Sequence, residues 1–162
     1  MNRLEQAFGQ SFVDAKQEIR TRQFELGGHI FKVKIPLTVE YEAMQKRLAK
    51  PDAGAVESRY TEVTRDLIAT RLEGSESVGL EFKEDDILVH GKSMREAATN
   101  HVLLENRVTE LFRLLVPQER DFDMSTIDYQ MIDELFPLAI QIQVMEKISE
   151  VIAPGYKEAR KN

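Results

Sequence analysis

The chain has 162 residues, a net charge of −6 and no cysteine, which excludes a disulfide scaffold, a thiolate zinc site and a thiol nucleophile. No segment has the uninterrupted apolar length of a membrane span, and Met1 to Arg22 lacks the apolar core of a secretory signal, so a cytoplasmic protein with no membrane partner is expected. The charge is uneven: Met1 to Lys50 carries nine basic and six acidic residues, Pro51 to Asn100 six and eleven, His101 to Asn162 seven and eleven. Nucleic-acid binding needs a concentrated basic face, and only the first third is even mildly basic, so nucleic acid is not expected as a partner. The same asymmetry suits head-to-tail docking of copies, or ordinary solvated surface.

Leu4, Phe8, Phe12, Ala15 and Ile19 recur at steps of three and four, the pattern of a helix with one apolar face. The period then drops to two. Phe24 and Leu26 alternate with Gln23 and Glu25, Gly27-Gly28 intervenes, and Phe31, Val33 and Ile35 alternate with Lys32 and Lys34. Two alternating runs around a glycine pair predict a hairpin with a tight primed turn, Phe24 opposite Phe31, and Gly27 and Gly28 as structural turn residues. Pro36 ends the second strand. Thr38 is placed to cap the next helix, whose stripe is Tyr41, Met44 and Leu48 and which stops at Pro51. A further helix with Val56, Tyr60, Val63, Leu67 and Ile68 inward ends near Gly74.

A second hairpin is predicted from Gly79 to Gly91, with Leu80 and Phe82 on one strand, Ile87 and Val89 on the other and Glu84-Asp85-Asp86 between. Ser93 and Glu96 then form a capping box. Met94, Ala97, His101, Leu104, Val108, Leu111 and Leu115 step by three and four before Pro117, an a/d seam. Gln118 to Ser125 reads as a charged linker. Helices over Thr126–Phe136 and Leu138–Ile152 follow, parted by Pro137. The second has a broad apolar band, with Ile140, Val144 and Val151 on one side, so it is either central to the core or held between core and partner. The fold class expected is mostly α, α+β, in a single domain over residues 1–162. Residues 1–21 are a candidate for a projecting N-terminal helix, and residues 155–162 read as a flexible tail.

Catalytic and metal patterns are absent. His29, His90 and His101 form no H-x-x-x-H or H-E-x-x-H pair, and Glu81, Glu84, Asp85 and Asp86 lack the order of a calcium loop. No phosphate-binding glycine loop or nucleophile elbow occurs. The expectation is a non-enzymatic protein without metal or cofactor, acting by protein binding. The candidate interaction residues are Leu4, Phe8, Phe12, Ile140, Val144 and Val151.

The stretch Phe24-Glu25-Leu26-Gly27-Gly28-His29-Ile30-Phe31-Lys32-Val33-Lys34-Ile35-Pro36-Leu37, followed by a helix opening Thr38-Val39-Glu40-Tyr41-Glu42-Ala43-Met44, resembles the tail assembly chaperones of long-tailed bacteriophages, siphoviruses of the lambda and HK97 type. Length, acidity and helix content are similar too. The resemblance implies a transient chaperone in the host cytoplasm that coats the helical tape-measure protein, recruits the major tail protein and self-associates as a homo-oligomer. It also implies a longer frameshifted product, and Arg160-Lys161-Asn162 is compatible with a slippery codon run. A connector or tail adaptor retained in the virion, or an acidic secretion-type chaperone, would fit the same surfaces.

Overall fold

A computed structural model describes residues 2–72 and 79–153. In chain order the elements are helices α1 (Arg3–Phe8) and α2 (Gln10–Ile19), strands β1 (Thr21–Leu26) and β2 (His29–Lys34), and helices α3 (Thr38–Ala49) and α4 (Ala53–Leu72). Strands β3 (Leu80–Phe82), β4 (Ile87–Val89) and β5 (Lys92–Ser93) follow, then α5 (Met94–Phe112), a 3-10 turn (Met124–Thr126), α6 (Tyr129–Leu135) and α7 (Leu138–Ile152). The protein is mostly helical with two small antiparallel sheets, an α+β fold. Where a single domain was expected, the described residues group into two compact units, residues 2–43 with 108–153 and residues 44–107. The expected tail over 155–162 and the α4 terminus near Gly74 lie outside the described residues.

In the first unit the glycine hairpin forms in the anticipated register. Gly27 and Gly28 have φ of +59° and +82°, the left-handed pair a primed two-residue turn requires. That turn sets Phe24 across from Phe31, Arg22 across from Val33 and Leu26 across from His29. Alternation puts these six side chains on one face and Gln23, Glu25, Ile30, Lys32 and Lys34 on the other. Val33, on the first face, is fully buried, and α7 packs beside β1.

The outer edge of β2 is closed by chain that the heptad pattern assigned to α5. That helix ends at Phe112, and Leu115 forms an antiparallel bridge to Val33. The Lys34 amide donates to Leu114 O at 2.8 Å, and the Val116 amide to Lys32 O at 2.8 Å. Two causes agree: Pro117 disfavours a helical conformation at Val116, and β2 offers unpaired backbone groups that a continued helix would leave unsatisfied.

Two further boundaries differ from expectation. The first helix breaks at Gly9, whose φ of +87° ends α1 and starts α2, so Leu4 and Phe8 belong to a separate turn of helix. The helix predicted from Thr126 starts at Tyr129, because Asp128 adopts an extended conformation and its carboxylate accepts the Met131 amide at 3.0 Å.

The corner between α6 and α7 holds a buried polar residue. Gln141 has no exposed surface. Its Nε2 donates to Phe136 O at 2.8 Å and Asp133 Oδ1 at 2.9 Å, and its Oε1 accepts from the Tyr129 hydroxyl at 2.7 Å. Every polar atom of the amide is used, which is what makes its burial tolerable. In the same unit Val108, Leu111, Phe112, Ile127, Ile132, Val144, Met145 and Ile148 are buried.

In the second unit the predicted hairpin gains a strand. Leu80 pairs with Val89 and Phe82 with Ile87, then β5 pairs back on β4. The β4–β5 turn is His90-Gly91, with φ of +51° and +80°, a second primed turn spelled with histidine in its first place.

Asp86 ties this sheet to the start of α5. Its carboxylate accepts the Ile87 amide at 2.7 Å, the Arg95 amide at 3.0 Å and the Ser93 hydroxyl, while Ser93 Oγ caps the Glu96 amide at 3.0 Å. Burial pushes the Asp86 carboxyl up, but the bonds from Ser93, Arg95 and Ile87, aided by the Arg95 charge, outweigh it and hold the group below the usual carboxylate value. The Arg95 guanidinium pairs with Glu57 and lies 4.1 Å from the Tyr60 ring centroid.

Three helix faces are turned relative to the sequence reading. On α4 the buried residue among those whose side chains are described is Thr64, whose hydroxyl donates to Tyr60 O at 2.6 Å, while Val63 and Ile68 are exposed. Returning its hydroxyl to the helix's own carbonyl lets threonine present its methyl group as an apolar side chain. On α5, Ala98 and Val102 are buried and Ala97 is exposed, so the inward stripe of its first half is one position later than the a/d seam, while Val108 and Leu111 of that seam are buried as expected. On α3, Met44 is buried but Tyr41 is exposed. Thr38 lies inside the helix, and the Glu40 carboxylate accepts the Leu37 amide at 3.3 Å.

Candidate interaction surfaces

Several ionisable groups hold local structure. Asp86 anchors α5. Asp123 caps the 3-10 turn through the Ser125 amide and hydroxyl, which lower its carboxyl below the ordinary value. Asp133 accepts from Gln141. His101 bonds Glu105 through Nε2 at 2.8 Å and meets Arg59 through Nδ1 at 3.4 Å, and the His29 ring stands edge-on to Phe31 at 4.6 Å. Among the described residues no group of three or more His, Asp or Glu side chains is arranged to hold a metal ion, and no helix is long and apolar enough to cross a membrane.

The apolar candidates divide into exposed and buried sets. Leu4 and Phe8 are 60% and 56% exposed, one turn apart on the same side of α1. Phe12 is half-buried, its ring 5.0 Å from that of Phe8. No residue of α1 or α2 is buried, so this pair of helices contributes no fully enclosed side chain. Local polar contacts hold it in place. Asn2 and Glu5 form a capping box, and Glu5 accepts Lys16 Nζ at 2.7 Å. The bond from Lys16, with the Asn2 amide, draws the Glu5 carboxyl below its ordinary value.

The α7 candidates do not form a free face. Val144 has no exposed surface and is a core residue, while Ile140 and Val151 are half-buried. The buried stripe of α7 is Gln141, Val144, Met145 and Ile148, and Val144 lies in its middle. The broad apolar band of this helix is absorbed on one side by the core.

A more exposed apolar set lies one helix earlier. Leu135 is 75% exposed, with Met131 at 42% and Leu138 at 45%. Met131 and Leu135 are one turn apart on α6, and Leu138 follows the Pro137 break. The signal was present as an i, i+4 apolar pair between acidic residues in a helix too short to bury both. Ile30, Leu37 and Val39 are also more than half exposed. Gly27 and Gly28 have nothing within 4 Å of where a Cβ would lie, so their role is the turn itself and not a close contact.

Comparison with known protein families, with curated proteins and with solved structures finds no match.

Proposed function

We propose that this protein is a non-catalytic assembly chaperone of the kind found in long-tailed phages, binding a long helical client, the tape-measure protein, in the host cytoplasm and helping to bring major tail subunits to it. The observation that carries the reading is the display of large apolar side chains on short helices: Leu4 and Phe8 on α1, Met131 and Leu135 on α6, and Leu138 at the head of α7. Helices of six and seven residues are not stable alone and hold their shape through caps and neighbours. Apolar pairs at helical spacing on such elements suit an amphipathic client helix laid across them. The glycine hairpin and the helix after it supply the resemblance.

The test is co-expression with a tape-measure protein, reading the client's soluble fraction with and without the chain. A gain in solubility that Leu4→Ser and Leu135→Ser diminish is expected. No gain in solubility contradicts the proposal and favours a subunit retained in the particle.

A further inference from the structure

The two outer edges of the glycine hairpin differ. Lys32 and Lys34 turn their backbone groups away from β1, and the segment after α5 takes them up: the Lys34 amide donates to Leu114 O and Lys32 O accepts the Val116 amide, each at 2.8 Å. Across the hairpin, Lys34 stands opposite Thr21, Lys32 opposite Gln23 and Ile30 opposite Glu25. Opposed antiparallel residues that exchange no bonds with each other both point outward. The amides and carbonyls of Thr21, Gln23 and Glu25 therefore line the far edge of β1.

At that edge Thr21 O accepts from the Arg22 guanidinium at 3.1 Å. The amides and carbonyls of Gln23 and Glu25 have no hydrogen-bond partner among the described residues. Both residues are exposed, although α7 packs beside β1. Pairing with β2 runs unbroken over all six residues of β1, with no bulge and no proline, so two of the usual devices that blunt a sheet edge are missing. Two donors and two acceptors stand here in strand spacing, and an extended backbone is the partner that satisfies all four at once.

We infer that the β1 edge takes up an extended segment of another protein as an added strand, with an apolar residue beside Phe24 and a basic residue beside Glu25. In antiparallel addition one residue of that segment exchanges both bonds with Gln23, and the next but one exchanges both with Glu25. The residue between them lies opposite Phe24, and the pleat puts its side chain on the face where Phe24 and Leu26 are half-buried and Phe24 stacks on Phe31. The two bonded residues present their side chains on the other face. One is directly beside Glu25, which has no cationic partner among the described residues, while Lys32 and Lys34 stand a strand further off. A second copy would set another acidic β1 edge there, so charge favours a basic segment of a different protein. The inference does not rest on the client-binding reading, whose partner is a helix.

Amide hydrogen exchange of the full chain, read residue by residue by NMR, tests it. The probe is a synthetic peptide of alternating lysine and valine, blocked at both ends. Without peptide, the Phe24 and Leu26 amides, which face β2, are expected to exchange slowly and those of Gln23 and Glu25 fast. With peptide at about ten times its Kd, exchange at Gln23 and Glu25 is expected to slow about tenfold, because only the free edge exchanges. Methylating the peptide's backbone nitrogens is expected to abolish this protection, which a contact through side chains alone would keep. Glu25→Lys is expected to weaken binding roughly two- to fivefold by placing like charges side by side. Gln23→Pro removes an amide from the edge and none from the β2 ladder, and is expected to lose binding. Melts matching wild type show that the variants are folded, and the methylated peptide tests the unaltered chain. Gln23 and Glu25 amides already protected at every chain concentration would overturn the inference, since the edge would then be closed by the chain itself. Protection that rises with chain concentration alone would overturn it by placing a second copy there. No protection at any peptide concentration, or equal protection by the methylated peptide, would also overturn it. Client solubility plays no part in this measurement, so its failure and failure of the chaperone reading are distinguishable.

Discussion

Phe24 stacks on Phe31 across the first hairpin, ring centroids 5.2 Å apart and planes 17° from parallel. Phe24 lies three residues before Gly27 and Phe31 three after Gly28, in a register that a one-residue slip would destroy, since slipping would move Val33 from the core to the solvent face. The turn and the ring pair therefore specify the same alignment, one through backbone and the other through side chains.

Replacing Gly27 or Gly28 by valine is expected to destabilise the protein by about 1–3 kcal/mol, because a β-branched residue is strained at positive φ. Thermal melting measures it. Since a Cβ at either position has open space around it, the loss is conformational, and an unchanged melting temperature would show that the turn relaxes without cost.

Removing the buried amide at the α6–α7 corner is expected to cost more than its volume. Gln141→Leu leaves the Tyr129 hydroxyl, the Asp133 carboxylate and the Phe136 carbonyl without that partner. A stranded group shielded from water costs about 1–3 kcal/mol, which applies to the half-buried Tyr129 and Phe136 and not to Asp133, whose exposed carboxylate can turn to water. Tyr129→Phe removes only one donor and is expected to lose less. Urea unfolding of both variants checks the order.

What was legible in the sequence follows from how local its causes are. The Gly27-Gly28 turn, the pairing of Phe24 with Phe31 and the α7 start after Pro137 depend on neighbours within a few residues, and the structure has all three. The end of α5 was not legible, because Leu115 satisfies helical periodicity as well as strand periodicity and the deciding partner, Val33, is far away in sequence. Thr64 was passed over because a hydroxyl counts as polar until its bond to Tyr60 O is known. Val144, expected at an interaction surface, is core, and Leu135, to which the sequence reading gave no role, is exposed; both are apolar at helical spacing, and only tertiary packing decides which of them meets water.

Acid should loosen the start of α5. The Asp86 carboxyl is held below its ordinary value in the folded chain, so folding favours its charged form. That contribution is fully present above the unfolded carboxylate value of about 4 and is lost as pH falls through the lowered folded value. Asp86→Asn is expected to flatten this part of the stability–pH curve, followed by circular dichroism melts across the acid range. Wild type and variant losing stability in parallel would contradict the assignment.

Substitutions separate the displayed residues from those that hold the fold. Val144→Ala is expected to cost about 1.5–3 kcal/mol as buried apolar surface is lost. Leu4→Ser and Leu135→Ser, at exposed positions, are expected to shift stability by no more than about 0.5 kcal/mol. Chemical denaturation distinguishes the two classes, and only the second is suitable for measuring binding.

The most direct measurement is the soluble fraction of a tape-measure protein co-expressed with this chain, compared with Leu4→Ser, Phe8→Ser and Leu135→Ser variants and repeated at moderate salt. The proposed function predicts that wild type keeps the client soluble, that the three folded variants lose most of that effect, and that the complex survives salt because apolar burial is not screened. A client equally insoluble with and without the chain, or a rescue that all three variants retain, would contradict it.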